Sequence, residues 1–178
     1  MMTITECTEL PEGFDTLIDQ SLPLLEEGTI DWRYMGNPVD TSAKKEKMRE
    51  VYQQHIDNPF SHVLYWVKEG APIHLVAGSA KPDDERYVQW NYSLFGKDAT
   101  GSKSWLFDPA YLLQTKEYMR DTMGLLGYVL SCQKGSSIYD YHMSKVGASE
   151  LYEVTEERVF TPEEATDISI AIIRYKYL

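Results

Sequence analysis

Cysteine is scarce: Cys7 and Cys132 are the only two in 178 residues, and they lie far apart in sequence with no C-x-x-C spacing. A disulfide scaffold is therefore excluded, and two packed thiols in a reducing, cytoplasmic compartment are expected. Long apolar runs are also missing. The longest, such as residues 168–173, have the length of a strand, and the first twenty residues carry Glu6, Glu9, Glu12 and Asp15 in place of a basic start and an apolar centre. No membrane span or signal peptide is expected. Positive charge is in short supply: 17 Lys and Arg stand against 28 Asp and Glu, giving a net charge of -11 and a pI near 4.8. Bulk nucleic-acid binding is disfavoured by that balance, and the surplus carboxylates read as a solvated surface before they read as an acidic docking face. His55, His62, His74 and His142 show neither H-x-H nor H-E-x-x-H spacing, so no metal site is expected.

What is present is the composition of a globular protein, 43% hydrophobic and 12% aromatic, with no internal repeat, low-complexity tract or linker. A single domain over residues 1–178 follows, long enough to bury roughly 70% of its unfolded surface. Residues 2–10 read as a short strand punctuated by Pro11-Glu12-Gly13. Phe14, Leu17, Ile18 and Leu22 then recur at helical spacing up to Pro23, which should end or kink the helix. Asp40, Thr41 and Ser42 offer caps to a second helix carrying Met48, Val51, Tyr52 and His55. Residues 62–67 and 72–77 form a hairpin, and a third strand follows over 86–95 after the turn Lys81-Pro82-Asp83-Asp84. Beyond a loop over 96–108, Asp108 caps a helix that starts at Pro109 and stops at Gly124. A strand over 125–132, a helix over 136–146 closed by Gly147, and strands over 151–160 and 168–177 complete the chain. The predicted order is β-α-α-β-β-β-α-β-α-β-β, an α/β fold with a mixed, mostly antiparallel sheet flanked by helices.

That order resembles, over nearly the full chain, the GCN5-related N-acetyltransferase (GNAT) fold, whose mixed sheet splays between its fourth and fifth strands to admit acetyl-CoA. The best local piece spans residues 128–159: a strand, a short helix, Lys145-Val146-Gly147-Ala148 and a further strand. It looks like the family's C-terminal segment ending in lysine, an aliphatic residue, glycine and phenylalanine, with Ala148 in the phenylalanine position. The resemblance implies an acyl-CoA-dependent N-acyltransferase acting on a small-molecule or protein amine, with acetyl-CoA as cofactor. It also implies a pyrophosphate loop after the fourth strand, made of backbone N–H groups and a helix N-terminus. The nearest match is Lys97-Asp98-Ala99-Thr100-Gly101-Ser102, which makes Lys97, Gly101, Ser102, Lys103 and Ser104 the cofactor-binding candidates. The same stretch superficially resembles a P-loop tail, with Ser102 in the glycine position.

For catalysis the resemblance implies a base on the fourth strand and a tyrosine acid on the last helix. Met143 occupies the usual tyrosine position, Tyr139 and Tyr141 are its neighbours, and residues 86–95 hold no carboxylate beyond Arg86. The catalytic candidates are therefore Tyr141 and a water held by Gln89 and Asn91. His142, beside Asp140 and Tyr141, is a further general-base candidate, and Cys132 reads as a packed thiol before a nucleophile. The departures from the family's motifs support a second reading: a catalytically silent GNAT-like binding or assembly protein, such as a phage accessory or virion component, acting through a protein partner or as a homo-oligomer. GNAT-like domains with worn motifs occur in tailed-phage proteomes, and this small acidic chain is similar to them.

Overall fold

The structure, a computed structural model, describes residues 2–24, 38, 40–96, 109–144, 152–159 and 170–178. The elements come in the expected order: β1 (Met2–Glu6), α1 (Phe14–Leu24), α2 (Thr41–Asp57), β2 (Ser61–Lys68), β3 (Ala71–Lys81), β4 (Asp84–Phe95), α3 (Pro109–Glu117), a π-helical turn (Tyr118–Thr122), β5 (Gly127–Gln133), α4 (Ser137–Met143), β6 (Tyr152–Val159) and β7 (Ile170–Tyr177). The seven strands form one sheet in the order β1-β2-β3-β4-β5-β7-β6. The pairs β1–β2, β2–β3, β5–β7 and β6–β7 are antiparallel, whereas β4 and β5 are parallel. Parallel neighbours need a crossover, which runs through α3. The sequence expectations over 25–37, 97–108, 145–151 and 160–169 lie outside the described residues.

Two compact units divide the chain, one holding the elements up to Ser79 with the end of β4 from Tyr92, the other Ala80–Asn91 with everything from α3 onward. In the first, the helical stripe read from sequence is the core: Phe14, Leu17, Ile18 and Leu22 of α1 meet Met48, Val51 and Tyr52 of α2 over Val63, Leu75, Ala77 and Leu94. The Tyr52 hydroxyl reaches through this layer to donate to the Leu75 carbonyl at 3.1 Å. The turn between β2 and β3 is the two-residue pair Glu69-Gly70, both at positive φ (52° and 78°), the handedness that matches strand twist. α1 runs one residue past Pro23, because a proline in the last turn removes a single backbone bond. β1 ends at Glu6 instead of near Leu10, although the Cys7 N–H still donates to the Val63 carbonyl at 2.8 Å.

Asp40 caps α2, its carboxylate accepting from the Ala43 N–H at 2.7 Å. Replacing Asp40 with Ala is expected to cost about 1 kcal/mol, read as a lower urea midpoint at unchanged slope. An unchanged midpoint would show the cap to be dispensable.

In the second unit, β7 lies between β5 and β6 along its whole length, Gly127↔Lys176 to Gln133↔Ile170 on one side and Tyr152↔Tyr177 to Val159↔Ile170 on the other. The helix after Pro109 is not α-helical up to Gly124 as its sequence suggests. From Tyr118 it widens, the Met123 N–H donating to the Tyr118 carbonyl five residues back at 3.1 Å. Within this turn Met119 is buried, and its Sδ accepts from the Tyr177 hydroxyl at 2.9 Å. Tertiary contact thus accompanies a local geometry that propensity does not favour.

Candidate functional site

β4 is 12 residues long and β5 is 7, yet their parallel ladder contains three pairs: Tyr87↔Gly127, Val88↔Tyr128 and Gln89↔Val129. No further β4–β5 pair follows among the described residues. β5 continues to Gln133 because β7 still holds its other side. Beyond Gln89 and Val129 the facing strand edges are therefore not bonded to each other, and an extended chain with its own amides is the chemical complement of such an edge. Gln89, half-buried, is the last β4 residue of the ladder, and the exposed Asn91 lies just past it. Two of the sequence-predicted residues thus stand where the ladder ends.

The far end of β4 is held differently. Ser21 of α1 is buried, and its hydroxyl donates to the Phe95 carbonyl at 3.1 Å while accepting from the Phe95 N–H at 2.9 Å. The Phe95 ring stacks on His74 with centroids 4.5 Å apart, and His74 stacks in turn on Trp66 at 4.8 Å. Enclosed by rings, the His74 imidazole loses solvation of its charged form, and its pKa falls from 6.5 to about 3. It is neutral at pH 7.

In the second unit, Ser136 caps α4, its hydroxyl accepting from the Tyr139 N–H at 3.2 Å. α4 carries Tyr141 and, next to it, His142. The ring of His142 meets the edge of Tyr175 on β7, with Nδ1 hydrogen-bonded to the Tyr175 hydroxyl. Burial lowers the His142 pKa to about 4, so the imidazole in this bond is neutral at pH 7. Tyr128 of β5 also stacks on Tyr175, centroids 4.6 Å apart. His142, half-buried, thus links α4 to β7. Arg174 lies over the Tyr87 ring at 5.0 Å, and the Arg86 guanidinium holds the Asp84 carboxyl down at about 2 through a two-point hydrogen bond.

The candidates Lys97, Gly101, Ser102, Lys103 and Ser104 lie outside the described residues. Each remaining histidine has its own partner: His55 the Val51 carbonyl at 2.9 Å, His62 the Glu6 carboxylate at 3.3 Å. No cluster of His, Cys, Asp or Glu suited to a metal ion occurs among the described residues. Nor, among them, is any helix long and apolar enough to cross a membrane. Cys7 and Cys132 are thiols without a disulfide, and burial raises the Cys7 thiol to about 11, well away from a reactive nucleophile. Sequence reading missed Ser21 and Tyr175. The available signal for Ser21 was a hydroxyl on the apolar stripe of α1, four residues after Leu17 and three after Ile18.

No sequence-family model matches the chain, and no curated protein is detectably similar to it in sequence. Solved structures are similar to it in fold. A GNAT-family protein from Desulfovibrio desulfuricans superposes with a TM-score of 0.60 at 11% identity, covering 99% of each chain. The PaiA N-acetyltransferase from Thermoplasma acidophilum, solved in complex with coenzyme A, gives 0.55 at 16% identity over 98% of this chain and 99% of that one. The spermidine/spermine N-acetyltransferase SpeG from Vibrio cholerae gives 0.52 at 12% identity over 99% and 92%. With its parallel β4–β5 pair in a sheet that also holds antiparallel pairs, its crossover through α3 and its short β4–β5 ladder, this chain has a GNAT-like α/β fold, the fold of N-acetyltransferases.

Proposed function

We propose that this protein is an acyl-CoA-dependent N-acyltransferase acting on an amine acceptor. The observation that carries this reading is the three-pair β4–β5 ladder within a GNAT-like fold: beyond Gln89 and Val129 the two strands are not paired with each other, and an extended, amide-bearing ligand is the chemical complement of such a gap in pairing. The pantetheine arm of coenzyme A is such a ligand. The coenzyme A complex of the Thermoplasma acidophilum neighbour supports the same cofactor. Lys97, Gly101, Ser102, Lys103 and Ser104 are assigned to the pyrophosphate, where a cation, hydroxyls and small residues match its charge and the close approach it needs. An amine acceptor suits a chain of net charge -11, whose field draws cations toward it. The Vibrio cholerae neighbour is named for spermidine and spermine, which are cationic amines.

In the reaction the amine nitrogen attacks the thioester carbonyl, the C–N bond forms, the C–S bond breaks, and coenzyme A leaves as a thiolate. The amine loses a proton and the thiolate gains one. A water held by Gln89 and Asn91 takes the first, and Tyr141 supplies the second. Titration calorimetry with acetyl-CoA and free coenzyme A is expected to give micromolar dissociation constants, about -8 kcal/mol. Tyr141→Phe is then expected to lower kcat about 100-fold with coenzyme A affinity retained. Unchanged turnover would reject Tyr141 as the acid. No heat at millimolar ligand would reject the acyltransferase reading and favour the silent, partner-binding one, to which the lack of a carboxylate on β4 after Arg86 also points.

A further inference from the structure

One edge of β4 is closed at Phe95 by a helix side chain. Ser21 sits on the apolar stripe of α1 among Leu17, Ile18 and Leu22 and is 2% exposed. Both backbone groups of Phe95 bond to its hydroxyl, the carbonyl at 3.1 Å and the N–H at 2.9 Å. The next residue, Gly96, sends its N–H the other way, to the Ile73 carbonyl of β3 at 2.9 Å. Adjacent residues of an extended chain present their backbone groups to opposite edges, so Phe95 faces the edge that β3 does not occupy. Ser21 therefore stands where a strand, or an extended ligand, would bond.

We propose that Ser21 is a placeholder on this edge, satisfying Phe95 when no ligand is bound and giving way to the amide groups of an extended ligand arm. In the acyl-CoA reading, on which this inference rests, that arm is pantetheine, and Ser21 determines how readily β4 accepts it. Three physical points support this. Buried backbone groups are almost always paired, so the edge needs a partner whether or not a ligand is present. An amide offers one donor and one acceptor, the same pair of functions that the hydroxyl supplies. Finally, a helical serine has a second place for its proton, the carbonyl four residues back, which is that of Leu17 here. The placeholder can thus withdraw without leaving its own hydroxyl unpaired.

The test compares wild type with Ser21→Ala, using urea unfolding together with calorimetric titration of coenzyme A, pantetheine and the adenosine diphosphate portion alone. The variant is expected to be less stable yet to bind coenzyme A and pantetheine about tenfold more tightly, because a competing hydrogen-bond partner has gone. Affinity for the adenosine diphosphate portion should not change. A serine that merely braces α1 against β4 would lower stability and leave affinity equal or weaker, and that result overturns the proposal while the acyl-CoA reading stands. Failure of both proteins to bind coenzyme A at millimolar concentration overturns the acyl-CoA reading and the placeholder with it. Should the alanine variant not fold, Ser21→Cys fills the same volume with a weaker hydrogen-bonding group and is expected to tighten coenzyme A binding about threefold.

Discussion

Acidification from pH 6.5 toward pH 3 is expected to destabilise the protein steeply, and His74→Phe is expected to flatten that loss. The unfolded His74 takes up a proton near pH 6.5, whereas in the fold it stays neutral until about pH 3, since burial between rings penalises the charge. Between those values the unfolded state binds more protons, so stability falls as pH falls and is fully present above pH 6.5. One proton contributes a slope of about 1.4 kcal/mol per pH unit, which summed over the window reaches about 4 to 5 kcal/mol for His74. His142, lowered to about 4 by its own burial against Tyr175, adds a slope of the same sign between pH 6.5 and 4. Phenylalanine keeps a ring between Trp66 and Phe95 and cannot titrate. Urea midpoints measured at pH 7, 5 and 4 should therefore diverge, with the variant losing less on acidification. Parallel curves for the two proteins would show that His74 is not the group being protonated.

Gly127→Ala is expected to be the most damaging single-methyl substitution, costing about 3 kcal/mol or more. A Cβ built at Gly127 falls 1.9 Å from the Tyr175 carbonyl oxygen, 2.9 Å from its carbonyl carbon and 3.0 Å from the Lys176 Cα. All three are backbone atoms of β7, so no side chain can rotate away. Gly127 also opens the β4–β5 ladder opposite Tyr87 and pairs with Lys176, so relieving the clash moves β5 against both neighbours at once. A glycine in open space gives the contrast. At Gly70 an added Cβ meets nothing within 4 Å, and Gly70→Ala is expected to cost about 1 kcal/mol from its positive φ alone. Chemical unfolding of both variants checks the ranking. A Gly127→Ala protein within 1 kcal/mol of wild type would mean that β7 can shift away from β5.

What could be read without a structure was local. The Asp40 cap, the start of α3 at Pro109, the hairpin of residues 62–67 and 72–77 and the apolar stripes of α1 and α2 each depend on residues within about one turn or one strand repeat of each other. They appear in the structure within a few residues of their predicted positions. Because every element follows from such short-range signals, their order followed as well, and with it the resemblance to a GNAT-like fold.

Longer-range features were not legible. Ser21 and Phe95 are 74 residues apart, and His142 and Tyr175 are 33 apart. No periodicity links them, since each bond depends on how an element packs and not on what it is. The π-helical turn at Tyr118 belongs with these, formed where Met119 meets Tyr177 from a distant strand. So does the length of the β4–β5 ladder: both strands are readable in sequence, but the point at which they stop pairing is set by how the sheet is twisted and braced. The sequence by itself determined the elements, their order and the acidic surface, because propensity, capping and alternation act between near neighbours. Which hydroxyl meets which strand edge, which histidine is shut away from water and where β4 parts from β5 were decided by the tertiary structure alone, because packing is what brings distant residues within hydrogen-bonding range.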